Sequence, residues 1–543
     1  MAVIPRSAWI TLIVISSVGL IPMYGETVII PAIPDFIKEF GITYSTSSWI
    51  LGAYLIAGAV MTPISGKLSD IYGKKKMVLI IMCIYTVGVA VGSFATNIWF
   101  MIIARILQGV GISMFPIAFG MIKLQFPIEK FSIAQGIFTG VFTAGSAIGL
   151  ALGGTIIYHY GWHFALLSMV PATIILILLM RKFIHITEEE KGKKKEQQQL
   201  QKHPPILKSQ LTTEYCCVFT KIGKEERLQV SANENESNIL KPKASFSNKK
   251  LLSQIDIKGA TTLSVTIISF LLALSYLENI HTSSISDFMP TIILSIISIV
   301  SLILFIIVEK KISAKGKAAD FPLIDLSLLA NKIIILNNII LMIMGITMLM
   351  VYQSISVLIR SPSPLGFNGN AISAANVQIP FTLIILIVSV SAGIIISKFG
   401  NIRPSLIGTM VSSIGFFSLF LFHSSELLIS TNLAVIGIGL TLTRVGSWNI
   451  LLEHAPKDFL GVSLGMTAML FFVGMAIGPT IASVYMQSNQ ASVKGSTELF
   501  PSLKSYDMIF ITGFFISLIS IILMVALKKI MSNPKWVDAR SIS

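Results

Sequence analysis

Gly66-Lys67-Leu68-Ser69-Asp70-Ile71-Tyr72-Gly73-Lys74-Lys75-Lys76 is a short polar stretch between two long apolar runs, near 46–65 and 77–95. Two glycines seven apart let a tight turn form without Cβ clashes. Asp70 lies between them, and Lys74, Lys75 and Lys76 follow where a cytoplasmic membrane face would hold them. The stretch reads as a hinge loop joining two membrane spans. Any such loop welcomes glycine and lysine, so the rest of the chain has to agree.

It does. Of 543 residues 53% are apolar and only 12% charged, with a mean hydropathy of +0.80, whereas soluble domains carry about 25% charged residues. A helical span needs about 20 apolar residues, and such runs recur near 8–30, 46–65, 77–95, 98–122, 133–157, 163–180, 257–276, 288–308, 333–357, 372–397, 404–423, 429–450, 462–486 and 507–527. The first run is long enough to span rather than to be a cleaved signal. The expected class is an all-α polytopic membrane protein with fourteen spans. With the N-terminus inside, the outer loops hold only Lys38, Arg360, Lys494 and Lys504. Leaving out the long 181–258 stretch, which counts poorly in such a bias, nineteen basic residues face the cytoplasm against these four. Both termini are thus expected in the cytoplasm of a multi-pass cell (plasma) membrane protein. The net charge of +15 is a topology signal, not a nucleic-acid footprint. Cys83, Cys216 and Cys217 offer neither a disulfide framework nor metal-ligand spacing.

The chain also repeats itself. Gly66 and Gly73 recur 327 residues later as Gly393 and Gly400; Gly109 and Gly111 recur at 328 as Gly437 and Gly439; Gly136, Gly145 and Gly149 recur at 329 as Gly465, Gly474 and Gly478. A drift of two residues over seven matches points to two six-span halves, 1–183 and 326–531, with an inserted two-span segment at 255–325. Paired halves around a central site are how many secondary transporters alternate access. Residues 184–254, rich in Lys, Glu, Gln, Asn and Ser, read as a disordered cytoplasmic linker, and 532–543 as a cytoplasmic tail. Asn235-Glu236-Ser237 matches a glycosylation acceptor that a cytoplasmic position would leave silent.

These features resemble the major facilitator superfamily, and six plus two plus six spans resemble its fourteen-span drug:proton antiporter branch. The 66–76 stretch is similar to that superfamily's signature loop between spans 2 and 3, where the resemblance implies that Asp70 latches the two halves together; a helix cap is the plainer reading. Glu26-Thr27-Val28-Ile29-Ile30-Pro31-Ala32-Ile33-Pro34 resembles the branch's span-1 motif, with Glu26 where Asp is usual. Trp49 to Tyr54, leading to Pro63, is similar to its span 2. Arg105-Ile106-Leu107-Gln108-Gly109 resembles the span-4 arginine motif, Gly161-Trp162-His163-Phe164 a span-6 lead-in with His163 replacing arginine, and Asp256-Ile257-Lys258-Gly259 the start of span 7. Gly145, Gly149, Gly153 and Gly154 resemble the span-5 motif associated with antiporters; three of them share one helix face, which plain close packing also explains. The pattern's Pro is Leu150 here and is kept in the second half as Pro479, which leaves the direction of transport open.

Glu26 is the only acid expected deep in a span; Asp70, Glu278, Asp287 and Glu309 fall at ends or in loops. An ionisable group at such depth is by default a functional candidate. Glu26 lies roughly 10 Å below the outer surface, and Arg105, entering from the same side, at a similar depth. That permits either a proton-coupling pair or a static ion pair. Met23, Tyr24 and Gln108, with Tyr352 and Gln353 at the second-half counterpart of Glu26, are expected on the cavity wall. Arg444, near the cytoplasmic end of span 12, is expected to snorkel, with a role in the cavity as the other reading.

No P-loop, H-E-x-x-H or nucleophile elbow is present, so neither an enzyme nor an ATP-driven pump is expected, and no cofactor or metal is called for. The expectation is a monomeric proton-coupled antiporter that exports amphipathic drugs or toxic compounds. Its alternatives are a proton-coupled transporter of one metabolite or siderophore, and a receptor or scaffold acting through 184–254.

Overall fold

Inside hydrocarbon the backbone finds no water to pair with, so each apolar run must satisfy its own N–H and C=O groups as a helix. The computed structural model describes residues 4–184, 256–277, 285–314, 331–455, 460–494 and 498–532. The expected linker beyond Ile184, with Cys216, Cys217 and Asn235, lies outside the described residues, as does the tail beyond 532.

The first half comprises α1 (Arg6–Thr27), α2 (Ile33–Phe40), α3 (Tyr44–Tyr72), α4 (Lys74–Gly92), α5 (Ile98–Gly109), α6 (Met114–Gln125), α7 (Ile128–Leu167) and α8 (Met169–Phe183). Short 3-10 turns at Ile30–Ala32 and Val110–Ser113 join α1 to α2 and α5 to α6. The inserted pair is α9 (Ile257–Tyr276) and α10 (Ile285–Ala314). The second half holds α11 (Lys332–Arg360), α12 (Ala371–Phe399), α13 (Ile402–Leu421), α14 (Glu426–His454), α15 (Leu460–Ser488) and α16 (Leu503–Met531). A small antiparallel hairpin, β1 (Gln490–Ser492) with β2 (Leu499–Pro501), lies between α15 and α16 and was not expected. Polar side chains start many spans: Thr43, Asn97, Asn370 and Ser425 each accept a bond from a first-turn N–H.

Among the described residues thirteen stretches are long and apolar enough to cross a membrane. One of them, Ala134–Phe183, has 50 residues, or about 75 Å of helix against a hydrocarbon core of ~30 Å. It is broken at Gly161, whose φ of 80° and ψ of 167° are not helical. The architecture is therefore consistent with fourteen crossings.

The 66–76 stretch departs from its expected form. It is not a loop between two turn-forming glycines, because α3 runs on through Gly66 to Tyr72 and only Gly73, at φ 94°, turns the chain. A helix can project past the membrane at no cost, since its polar turns are solvated there. The repeat reproduces this turn: Gly400, the counterpart of Gly73, has φ 75° and ends α12.

Packing follows the repeat as well. A Cβ on Gly145, Gly149 or Gly153 of α7 would strike the backbone carbonyls of Leu20 and Tyr24 on α1 and of Val28 just after it. In the second half, Gly474 and Gly478 of α15 meet Met342 and Ile346 of α11 in the same manner. Gly154 faces the other half, against Ala371 and Ala375 of α12. Gly149→Ala is therefore expected to destabilise the protein by about 1–3 kcal/mol through overpacking, read as a lower Tm in detergent. Gly140→Ala, where a Cβ would meet nothing within 4 Å, is the control and should leave Tm level or raise it slightly, since Ala suits a helix interior better than Gly.

The halves meet where α3 packs on α15 and α7 on α12. One face carries Arg6, Lys74–Lys76 and Met531 and is called the terminus face. At the opposite face, Arg360 at the end of α11 grips Asp35 of α2 with two bonds, Nη1 to Oδ2 at 2.7 Å and Nη2 to Oδ1 at 2.5 Å. Its Nη1 also donates to the Pro31 carbonyl at 2.7 Å, and the Tyr44 amide donates to Gln487 Oε1 at 3.1 Å. These bonds pin the halves together at the face away from the termini.

Candidate functional site

Glu26 sits in the last turn of α1 and is 1% exposed. The segment that carries it is clamped from three sides. Pro22 removes one backbone donor inside α1. Tyr85 of α4 donates its hydroxyl to the Ile21 carbonyl at 3.2 Å, and Tyr54 of α3 donates to the Pro22 carbonyl at 2.5 Å. Arg105 of α5 donates through Nη1 to the Gly25 carbonyl at 3.0 Å. On the far side, Thr27 donates to the Ser146 carbonyl of α7 at 2.9 Å. The carboxyl is thereby held in place by backbone contacts around it while its own Oε1 stays buried with no hydrogen-bond partner among the described residues. An orphaned polar group of this kind costs about 1–3 kcal/mol.

Arg105 does not form the pair that its depth permits. Among the described residues no ion pair joins it to Glu26; its Nε donates to the Ile50 carbonyl at 2.9 Å and its Nη1 to Gln108 Oε1 at 2.7 Å. The guanidinium lies 4.2 Å from the Tyr54 ring centroid and is fully buried. It ties α1, α3 and α5 together, with one nitrogen, Nη2, left without a hydrogen-bond partner among the described residues. Gln108 completes this cluster by donating to the Gly88 carbonyl at 3.0 Å.

Glu26 opens instead onto a cavity between the halves, in which the centre of a water molecule can move through about 50 Å³. Of the expected wall residues, Met23 and Tyr352 line it with Glu26. Tyr24, Gln108 and Gln353 are not among its lining residues; Gln108 is consumed by Arg105, and Gln353 is buried inside α11 packing. Phe115, Phe142, Trp448, Phe471 and Phe472 add aromatic surface to the wall. Thr139, Thr143, Ser146 and Thr382 add hydroxyls, and Met348 and Met475 add flexible apolar surface.

Arg444 is the largest departure from the sequence reading. It does not snorkel out of α14 but lines the cavity and donates through Nη2 to Thr143 Oγ1 of α7, in the other half, at 3.0 Å. Eighteen residues separate it from Glu426, or about 27 Å of helix, so from the opposite face it lies deep enough to turn inward. Depth alone gave no signal of this, because it does not fix rotation about the α14 axis, and the aromatic wall gave none either, since Phe and Trp are common on any membrane helix.

Of the hinge residues, Lys75 Nζ donates to the Arg181 carbonyl at the end of α8 at 3.0 Å, and the Lys74 stem passes against Gly120 of α6. The side chain of Asp70 lies outside the described residues. His163 lies 3.9 Å from Glu39, whose other oxygen accepts from Trp162 Nε1 at 2.7 Å. Glu309 is a second fully buried acid, near the end of α10 and not among the residues lining the cavity.

Two matching six-helix bundles with a partly polar cavity between them have the architecture of a membrane transporter. The sequence profile of the Major Facilitator Superfamily matches residues 15–292 and 257–479, and the chain belongs to that superfamily, whose members are transporters rather than enzymes. The multidrug transporter protein MdtP of Bacillus subtilis is 24% identical over 484 residues, 88% of this chain and 75% of that one. Multidrug resistance protein 3 of Bacillus subtilis is 33% identical over 147 residues, 27% of this chain and 28% of its own. The tetracenomycin C resistance and export protein of Streptomyces glaucescens is 29% identical over 164 residues, 30% of each chain. The latter two matches span less than a third of either protein. In shape, the chain is similar to the crystal structure of the human organic anion transporter MFSD10 (TETRAN), with a TM-score of 0.57 at 11% identity over 96% of this chain and all of that one.

Proposed function

We propose that the protein is a proton-coupled antiporter that exports amphipathic compounds across the cell membrane, working as a monomer with both termini in the cytoplasm. The observation that carries this reading is Glu26, a buried carboxyl with an orphaned oxygen at the wall of a central cavity. A carboxyl so placed gains most from either a proton or a cationic guest, and it cannot hold both. Substrate arriving from the cytoplasm displaces the proton, and a proton arriving from outside displaces the substrate. Alternation of the two states then couples the fluxes. The aromatic and methionine wall suits varied apolar bodies, and the relatives named for multidrug transport or drug resistance support the same reading. Specific pockets for drug-sized molecules occupy about 300–1,000 Å³, so the narrow cavity has to widen as the halves part.

The test is transport by the purified protein in liposomes with an imposed pH gradient. Flux of amphipathic probes against their gradient is expected, and its absence across chemical classes overturns the reading. A carrier of one metabolite or siderophore would respond to that compound alone.

Orientation has its own check. Single cysteines at 75, 220 and 365 in a cysteine-free background are expected to differ in labelling: 365 reacts from outside the cell, and 75 and 220 only after permeabilisation. Labelling of 75 and 365 from one side would refute the arrangement.

A further inference from the structure

We infer that Arg444 is the anion-binding half of a bipolar substrate site, and that the favoured guest is an aromatic zwitterion with its cationic group at Glu26 and its anionic group at Arg444. This rests on the transport reading above and goes beyond it by naming the substrate class.

The two arginines of the bundle interior make the case by contrast. Arg105 is fully buried and spends its donors on two backbone carbonyls and Gln108, with its face on Tyr54. It is a structural brace. Arg444 has five N–H donors, and its one hydrogen bond among the described residues is to the Thr143 hydroxyl. The guanidinium lines the cavity. A cation at this depth is costly, and one neutral hydroxyl is poor compensation, whereas a carboxylate accepts the guanidinium fork in two parallel bonds.

Glu26 and Arg444 line the same cavity from opposite halves, yet no ion pair joins them. Arg444 reaches Thr143 of α7, and Thr27, next to Glu26, bonds to Ser146 less than one turn further along the same helix, so the two charges face the cavity from opposite halves at neighbouring levels. Tyr352, whose hydroxyl is buried without a hydrogen-bond partner among the described residues, lines the wall with them. The aromatic rings of Phe115, Phe142, Phe471 and Trp448 complete the wall and offer stacking surface to a flat guest.

The coupling logic selects a zwitterion over simpler guests. A purely anionic guest would bind better when Glu26 carries its proton, which favours movement of the two together. A purely cationic guest competes with the proton but leaves Arg444 without a counter-charge. A zwitterion does both: its cation excludes the proton, and its anion takes up the donors that Arg444 does not spend on Thr143.

Three matched probes test this on the purified full-length protein by equilibrium binding: ciprofloxacin, its methyl ester, and its N-acetyl derivative. They share a flat ring system and differ in bearing both charges, the cation alone, or the anion alone. The zwitterion is expected to bind at least about tenfold more tightly than either derivative, the worth of one charge-assisted contact. Arg444→Gln should bring the zwitterion down to the affinity of its ester and leave the ester unchanged, and Arg444→Lys should retain part of the preference. The comparison in the unmodified protein needs no variant, so a poorly folding Arg444→Gln does not blunt it. Equal affinities for zwitterion and ester, no binding of any probe, or equal losses for both in Arg444→Gln would each overturn the inference. Selective binding without pH-driven flux would overturn the antiporter reading instead and leave the zwitterion site standing.

Discussion

Purified Glu26→Gln protein in liposomes is expected to exchange substrate for substrate while showing no transport driven by a pH gradient. The substitution keeps the shape of a side chain that is 1% exposed and removes its ability to gain or lose a proton. Exchange needs only the reorientation of a loaded carrier, so it survives, whereas coupling falls to the level of empty liposomes. Glu26→Asp keeps the titratable group one carbon shorter and should retain part of the coupled flux. Arg105→Ala separates the coupling role from the packing role. Because Arg105 braces α1, α3 and α5 through carbonyls and Gln108, its loss should lower the folded yield and Tm. The fraction that does fold should still respond to a pH gradient. If folded Glu26→Gln protein still couples, the proton travels by another route and the assignment is wrong.

The second large effect is expected at the pin between the halves. Arg360 holds Asp35 with two bonds and Pro31 with a third, with 17% and 32% of the two side chains exposed. These bonds span the bundles at the face away from the termini, and the cavity cannot open to that face while they persist. Hydrogen bonds to charged groups are worth about 1.5–3 kcal/mol, so Arg360→Glu should shift the balance toward the state open at that face by about ten- to a hundredfold. The readout is the labelling rate of a Met348→Cys reporter on the cavity wall, with a membrane-impermeant reagent applied to the outside. Labelling should accelerate in Arg360→Glu and return toward the original rate when Asp35→Arg is added, since the swapped charges can pair again. No acceleration, or no rescue by the swap, would show that the pair does not govern the opening.

The two perturbations also read differently in transport. Loss of the proton group removes the driving force while the protein still cycles. Loss of the pin leaves the proton group intact and unbalances the states between which the protein cycles. A pH-gradient assay and a labelling assay on the same preparations therefore distinguish them.

Composition and spacing alone carry the span pattern, the internal repeat and the buried acid. Runs of about 20 apolar residues have one stable backbone solution in lipid, so the helices were legible. The glycine repeat was legible too, because close helix packing tolerates no side chain where Gly145 meets Leu20 or Gly474 meets Met342. Glu26 stood out because an acid among apolar residues has few neutral explanations. Tertiary structure alone decided which polar side chains share a space. Residues hundreds of positions apart have no sequence signal that they touch: Asp35 with Arg360, Thr143 with Arg444, Tyr44 with Gln487. It decided that Arg105 serves backbone carbonyls rather than Glu26, since equal depth fixes height in the bundle but not the direction in which a long side chain turns. It also decided that Arg444 faces inward, because snorkelling and cavity lining differ only in rotation about the α14 axis. That rotation is set by packing against α12 and α13, which no local pattern around Arg444 records.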